Sequence, residues 1–513
     1  MHRFPRCPSF RVLLVALSLL YLMVYLPLLD RVPTLAFDEP WYASTAHNFA
    51  GGRGLSNTVV GERGGDQFFL HTLIVAGAFK LFGTTLWIGR LVSVLIGLLA
   101  VFGWGLLCRS LAIRGWPFAV TGILFILSNV YVVIFRRLRP EALVVALSVW
   151  ALYLFVEAWQ SRRSGAALAC ALVSGSAAMA HPNGVLLTVL LGVLLLGRTL
   201  YDRYGLTLVA GYAVGGFASV VLFVIGWTLW REQSLVAFFY DAVVNSHRLS
   251  VGSNSTTVLS TISTNLSSFL PAYSLGLRRL YILIFELGVL LVGLMRYRRD
   301  NLAAILGLLG ILWFVAAVSL LTPFYRWSFA IVIIFSLTVT GRLLSDARTT
   351  LTRRGAVALC LCVSVYALNN AAGDAYLMRL HATNTPYSRV TEVLDAKVPD
   401  GVPVLTDLEL WFPFQNNVAY TPITRWWATR YADLDALLTS GDLRYVVTSA
   451  AFSEGSSPLS PLTRERDYAL YDNTDYYDRL HRHIETYVRH HCDRIDVLAT
   501  HGYGAIETWR CDS

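Results

Sequence analysis

Charge is scarce in this chain. Only 15% of its 513 residues are Asp, Glu, Lys or Arg, against about 25% in a soluble globular protein. Hydrophobic residues make up 55% and the mean hydropathy is +0.54, which excludes an ordinary soluble enzyme. Cysteine is sparse: seven residues and no CxxC zinc or redox pattern. Five of them (Cys7, Cys108, Cys170, Cys360 and Cys362) lie in or beside apolar segments, where cysteine behaves as a small hydrophobe. The net charge of +9 comes mostly from arginine. Those arginines sit between apolar runs, so they give no support to nucleic-acid binding. No small-x-small cleavage site follows the apolar stretch 11–29, which therefore reads as an uncleaved first span.

What is present is a series of apolar runs from Arg11 to about Asn370, then polar and mixed composition from Asp374 to Ser513. The expected division is a membrane domain over 1–373 and a soluble α/β domain over 374–513. A span needs about 20 apolar residues. The candidates are 11–29, 86–108, 117–135, 141–158, 166–180, 185–197, 206–230, 276–295, 302–321, 327–344 and 355–370.

The stretch Phe68 to Phe82 is apolar but short, and holds His71 and Lys80. Counted as a span, it puts Arg109, Arg114, Arg162 and Arg163 outside. Left out, it puts them inside with Arg296, Arg298, Arg299, Arg348, Arg353 and Arg354. The arginine bias thus predicts an interfacial helix for 68–82. The expected fold class is a polytopic α-helical membrane protein of the inner or plasma membrane, with about 11 spans. Its N-terminus is cytoplasmic and its C-terminal α/β domain extracytoplasmic. Three segments are then external: the loop 30–85, the loop 231–275, and everything after 374. Arg136, Arg137 and Arg139 break the positive-inside pattern and call for a local anionic partner.

Four outer groups can carry chemistry. Asp38 and Glu39 follow the first span in Phe37-Asp38-Glu39-Pro40-Trp41-Tyr42. Paired acids there suit a general base that activates a hydroxyl. Equally, acids at a helix start complement its dipole. Glu141 follows the three arginines and reads either as their ion-pair partner or as a second active-site acid. Arginine suits phosphate because its planar fork donates two hydrogen bonds at once. Arg326, in Pro323-Phe324-Tyr325-Arg326-Trp327, lies at another span mouth, where an aromatic belt with a snorkelling arginine explains it almost as well. His181-Pro182-Asn183-Gly184 is a turn between two short spans, or a polar lining for a cavity.

The order Asp38-Glu39-Pro40-Trp41-Tyr42-Ala43, Leu81-Phe82-Gly83 with Arg90-Leu91, and Arg139-Pro140-Glu141-Ala142-Leu143 resembles the GT-C glycosyltransferase superfamily. Its protein O-mannosyltransferases and lipid A aminoarabinose transferases look nearest in pattern. The resemblance covers roughly residues 10 to 345. It implies catalysis by Asp38 with Glu39 and Glu141. It implies substrate contacts from Tyr42, Arg90, Arg136, Arg137, Arg139, His181 and Arg326. It also implies a polyprenyl-phosphate sugar donor, a glycan, lipid or protein acceptor, inversion at the anomeric carbon, and no cofactor, with metal use left open. Two departures stand out. Relatives usually carry proline beside a basic residue where this chain has Asp66-Gln67-Phe68, and often Asp where it has Glu141. Competing readings are a transporter or flippase of lipid-linked sugars and a non-catalytic envelope-assembly protein. No convincing internal repeat supports the first of these.

After Tyr387 the pattern predicts a helix over 388–397, a strand over 402–405, a helix over 432–438, a strand over 444–448 and a helix over 476–490. Trp411, Trp426 and Trp427 are candidates for sugar stacking or for core packing. The segments 493–500 and 503–510 read as a hairpin around His501-Gly502. In that register Thr500 faces Tyr503, Val497 faces Ile506 and Cys492 faces Cys511, within disulfide reach.

Overall fold

The computed structural model describes residues 8–36, 38–57, 69–181, 183–202, 206–230, 277–297, 301–320, 330–350, 352–417, 420–423, 431–440, 442–449 and 474–511. The loop 231–275, Asp66, Arg326, Trp426 and Trp427 lie outside them.

Helix α1 (Phe10–Tyr25) is followed by two helices that the apolar pattern does not count as spans, α2 (Asp38–Ala50) and α3 (Phe69–Phe82). Then come α4 (Leu86–Ser110), α5 (Trp116–Ile126), α6 (Asn129–Phe135), α7 (Glu141–Ser161), α8 (Ser164–Ala180), α9 (Asn183–Asp202) and α10 (Thr207–Trp230). The membrane part ends with α11 (Leu277–Arg296), α12 (Asn301–Leu320), α13 (Ala330–Thr350) and α14 (Arg353–His381). Hydroxyl caps start several of them: Ser9 for α1, Thr85 for α4 and Thr352 for α14. Among the described residues seven helices are long and apolar enough to cross a bilayer: α4, α7, α9, α10, α12, α13 and α14. An eighth is the pair α5 and α6, bent by 59°.

That bend departs from the single span expected over 117–135. In a bilayer a broken helix needs polar partners for its freed backbone groups. Here α14 supplies them. The Asn370 side chain accepts from the Asn129 backbone N–H at 3.0 Å, while the Asn129 side chain donates to the Asn370 carbonyl at 2.7 Å and to Asp374. Helix α14 therefore runs well past the expected end at 370, and the expected boundary at 373 falls inside it. Close packing elsewhere depends on glycine. A Cβ on Gly97 of α4 would lie 2.0 Å from the Tyr21 hydroxyl and 2.7 Å from the Phe135 ring, so only glycine lets α1 and α6 lie this near α4.

Beyond α14 come α15 (Tyr387–Lys397), α16 (Tyr431–Thr439) and α17 (Thr474–His491) around a sheet of β1 (Val404–Asp407), β2 (Tyr420–Ile423), β3 (Tyr445–Ser449), β4 (Asp493–Ala499) and β5 (Ala505–Arg510). The strand order is β2-β1-β3-β5-β4, with β1 parallel to β2 and β3, and β5 antiparallel to β3 and β4. Strand β2 was not read from the sequence. Cys492 and Cys511 are disulfide-bonded, 4.1 Å apart at Cα. The hairpin reaches that pairing differently from the expected register. Its turn is longer, with the Thr500 N–H donating to the Gly504 carbonyl, so Leu498 rather than Val497 faces Ile506. A bulge between Arg494 and Asp496 then restores the register, and Asp493 faces Arg510.

This α/β unit sits directly on the loop that leads into α2. Asp30 accepts from the Ser388 backbone at 3.0 Å and hydroxyl at 2.7 Å, and Thr34 bonds His381 at 2.6 Å. Gln415 donates to the Thr84 carbonyl at 3.2 Å. Trp411 is 1% exposed and edge-on to His47, which makes it a packing residue.

Candidate active site

The loop 26–36 and the turn 136–140 are polar backbone at the edge of an apolar bundle. Two buried arginines hold them. Arg136 donates to the carbonyls of Val24, Tyr25, Pro27 and Val32 at 2.5–3.0 Å. Those are carbonyls at and just after the end of α1, where helical partners run out and a cation is favoured. Arg90, on α4, donates through Nη1 to the carbonyls of Leu29 and Pro33, and through Nε and Nη2 to both oxygens of Glu39 at 2.8 and 2.7 Å.

Glu39 accepts twice more, from the backbone N–H groups of Ala36 and Leu138, each at 2.9 Å. All four of its acceptor positions are filled, and the residue is fully buried. Burial opposes its charge, but Arg90 overrides that and holds the carboxyl below its usual value. Glu39, Arg90 and Arg136 were expected in the chemistry or at the donor. In the structure their polar side-chain atoms are bonded to protein partners. One carboxylate thereby ties the start of α2 to the turn that carries Arg137 and Arg139.

Asp38 is placed differently. Its Oδ2 pairs with Arg139 Nη1 at 2.8 Å, and 29% of its side chain stays exposed. Arg139 reaches the other way as well, to both oxygens of Glu141 at 3.2 and 3.0 Å. The result is an Asp38–Arg139–Glu141 bridge joining α2 to the first residue of α7. Burial raises the Asp38 pKa above the ordinary aspartate value; Arg139 opposes this and the nearby Glu141 charge adds to it. Arg137 is buried nearby and also lowers the Asp38 pKa. A carboxylate that is partly open, raised in pKa and flanked by two guanidiniums can take a proton beside an anion.

Tyr42 lies four residues after Asp38 on α2, hence on the same face. It meets His71 of α3 edge-on, with ring centroids 6.0 Å apart. His181, half-buried at the end of α8, acts electrostatically on Glu141. Tyr42, Arg137, Arg139, Glu141 and His181 are thus gathered around Asp38. His71 joins them, although the sequence marked it only as a polar residue in an apolar stretch. Among the described residues no group of three or more His, Cys, Asp or Glu side chains is arranged to hold a metal ion.

Residues 66–227 match the model of the dolichyl-phosphate-mannose-protein mannosyltransferase family. No curated protein matches the chain in sequence. Among solved structures, ArnT from Cupriavidus metallidurans bound to undecaprenyl phosphate superimposes with a TM-score of 0.56 at 16% identity, covering 98% of this chain and 97% of that one. Its apo state gives 0.58 at the same identity and coverage. The Archaeoglobus fulgidus oligosaccharyltransferase in complex with Zn and sulfate gives 0.56 at 13% identity, covering 87% of this chain and 70% of that one. At such identities the superpositions speak for the fold, and the family match spans the segment that holds His71, Arg137, Arg139 and Glu141. The family match covers about a third of the chain, and over nearly its whole length the chain has the fold of these membrane proteins.

Proposed function

We propose that the chain transfers a sugar from a polyprenyl-phosphate donor to an acceptor hydroxyl at the outer face of the membrane, with Asp38 as general base. The observation that carries this is the open Asp38 carboxylate paired with Arg139 beside Glu141 and Arg137. The acceptor O–H gives its proton to Asp38 while its oxygen attacks the anomeric carbon. The bond from that carbon to the phosphate oxygen breaks, and the electron pair leaves with the lipid phosphate. Arg137 and Arg139 offset the charge that develops there. A single displacement inverts the anomeric centre. Glu141 keeps Arg139 aimed.

The lipid-phosphate donor is supported by undecaprenyl phosphate in the Cupriavidus structure and by dolichol phosphate in an Archaeoglobus one. The outer location and the eleven-span topology rest on the arginine distribution. With the site at the membrane surface, the helical part catalyses and the α/β unit beyond α14 seats the loop that leads into Asp38.

The test is Asp38→Asn, nearly isosteric but unable to take the proton. It is expected to insert and fold normally and to lose transfer by about 10²–10⁴-fold. Near-wild-type transfer would remove Asp38 from the mechanism. Transfer abolished together with loss of folded protein would point to a structural role.

A further inference from the structure

His71 has an environment that its fold role does not explain. It is 1% exposed, and neither Nδ1 nor Nε2 has a hydrogen-bond partner among the described residues. Buried polar groups are almost always paired, and an exception asks for a reason. The surroundings supply one. Tyr42 packs edge-on against the imidazole, and the Glu141 carboxylate acts on it electrostatically. Both neighbours belong to the cluster around Asp38. Further along α3, Ile74, Leu81 and Phe82 are exposed apolar residues, whereas His71 is covered.

We propose that His71 recognises the sugar of the donor, its two ring nitrogens taking a pair of hydroxyl groups. This rests on the glycosyltransferase reading and names a specificity residue for it. Burial lowers the His71 pKa to about 4, with Glu141 opposing. At neutral pH the ring therefore offers one N–H donor and one bare acceptor nitrogen. A phosphate provides acceptors only and leaves the bare nitrogen unpaired. A polyprenyl chain provides neither. Adjacent sugar hydroxyls both donate and accept, and they alone among the parts of such a donor satisfy both nitrogens. A site that pairs its polar groups with substrate hydroxyls also discriminates against sugars that lack them.

The experiment uses purified full-length protein, with His71→Phe to remove both nitrogens and His71→Gln to keep one donor and one acceptor. The probes are undecaprenyl phosphate and undecaprenyl-phosphate-linked mannose, glucose and arabinose. For whichever sugar-linked probe the wild type binds, His71→Phe is expected to bind about tenfold more weakly, and His71→Gln to recover part of the loss. Affinity for undecaprenyl phosphate itself is expected to stay unchanged. The thermal midpoint of ligand-free His71→Phe is expected to match or exceed that of the wild type, since an unpaired buried imidazole is replaced by an apolar ring. Equal weakening on both kinds of probe would overturn the assignment in favour of phosphate contact. Unchanged affinity for every probe, or a lowered midpoint, would overturn it in favour of packing. If the wild type binds none of the sugar-linked probes, the transferase reading itself fails and the assignment goes with it, before any variant is compared.

Discussion

Glu39 and Arg90, fifty-one positions apart in sequence, form a fully buried two-point ion pair at 2.7 and 2.8 Å. Its neighbour Asp38 is partly exposed and pairs with a different arginine, Arg139. Two adjacent acids thus sit in different surroundings, Glu39 fully buried and bonded to backbone N–H groups as well as Arg90, Asp38 partly exposed. Removing one partner of a buried pair leaves the other charge uncompensated, at about 3–5 kcal/mol. Glu39→Gln is therefore expected to lower the thermal midpoint markedly, while Asp38→Asn leaves it near the wild type. Thermal unfolding of the two purified variants checks this. Equal midpoints for both would mean that Glu39 does not hold the loop.

The arginines of the turn 136–140 divide in the same way. Arg136→Lys keeps a charge but cannot reach four carbonyls at once, so its effect is expected on stability, with donor KM unchanged in the protein that folds. Arg139→Lys loses the fork between Asp38 and Glu141, and donor KM is expected to rise by about tenfold. Steady-state kinetics beside unfolding curves separate the two. A raised donor KM in Arg136→Lys with normal stability would return Arg136 to the binding site.

Much of this was legible in one dimension. The apolar runs located the helices. The cluster Asp38, Arg139 and Glu141 stood out because charge is otherwise scarce. The partners of Glu39, Arg90 and Arg136 were not legible, because many of them are backbone carbonyls and N–H groups, and nothing in a side-chain pattern marks which carbonyls a helix end leaves unpaired. The bend between α5 and α6 was hidden for a related reason. Both halves are apolar, and the groups that satisfy the break come from Asn370 and Asp374, some 240 residues away. His71 was visible as an oddity, but only its position between Tyr42 and Glu141 gives it a candidate task.

The raised Asp38 pKa sets the acid limb of the pH–rate profile. A general base works only when deprotonated, so kcat at saturating donor is expected to fall as pH drops through a value above the ordinary aspartate pKa of about 3.9. Arg139 opposes that upward shift. Removing its charge in Arg139→Gln is therefore expected to move the limb to still higher pH. Profiles of the two proteins test the sign. A limb that moves to lower pH in Arg139→Gln, or stays where it is, would show that another group controls it.

The bond between Cys492 and Cys511 closes the C-terminal hairpin at its open end, its cysteines 19 positions apart. Such a bond stabilises mainly by restricting the unfolded chain, and a loop of this size is worth about 3 kcal/mol. The hairpin matters beyond itself. Strand β5 pairs with β3, and the turn after β4 reaches the end of α14, where the Thr385 N–H donates to the His501 carbonyl. Loosening it should therefore loosen the unit that seats the loop before Asp38. A Cys492→Ser, Cys511→Ser double variant is expected to show a lower thermal midpoint and faster proteolysis after residue 387. Its Asp38-dependent transfer, measured well below that midpoint, is expected to remain. A disulfide also reports on compartment, since such bonds persist outside the reducing cytosol. Peptide mapping without reductant, on protein extracted in the presence of an alkylating agent, is expected to recover the two cysteines joined. Alkylated thiols at both positions would count against the bond, and against the extracytoplasmic placement of this domain that the proposed outer active site requires.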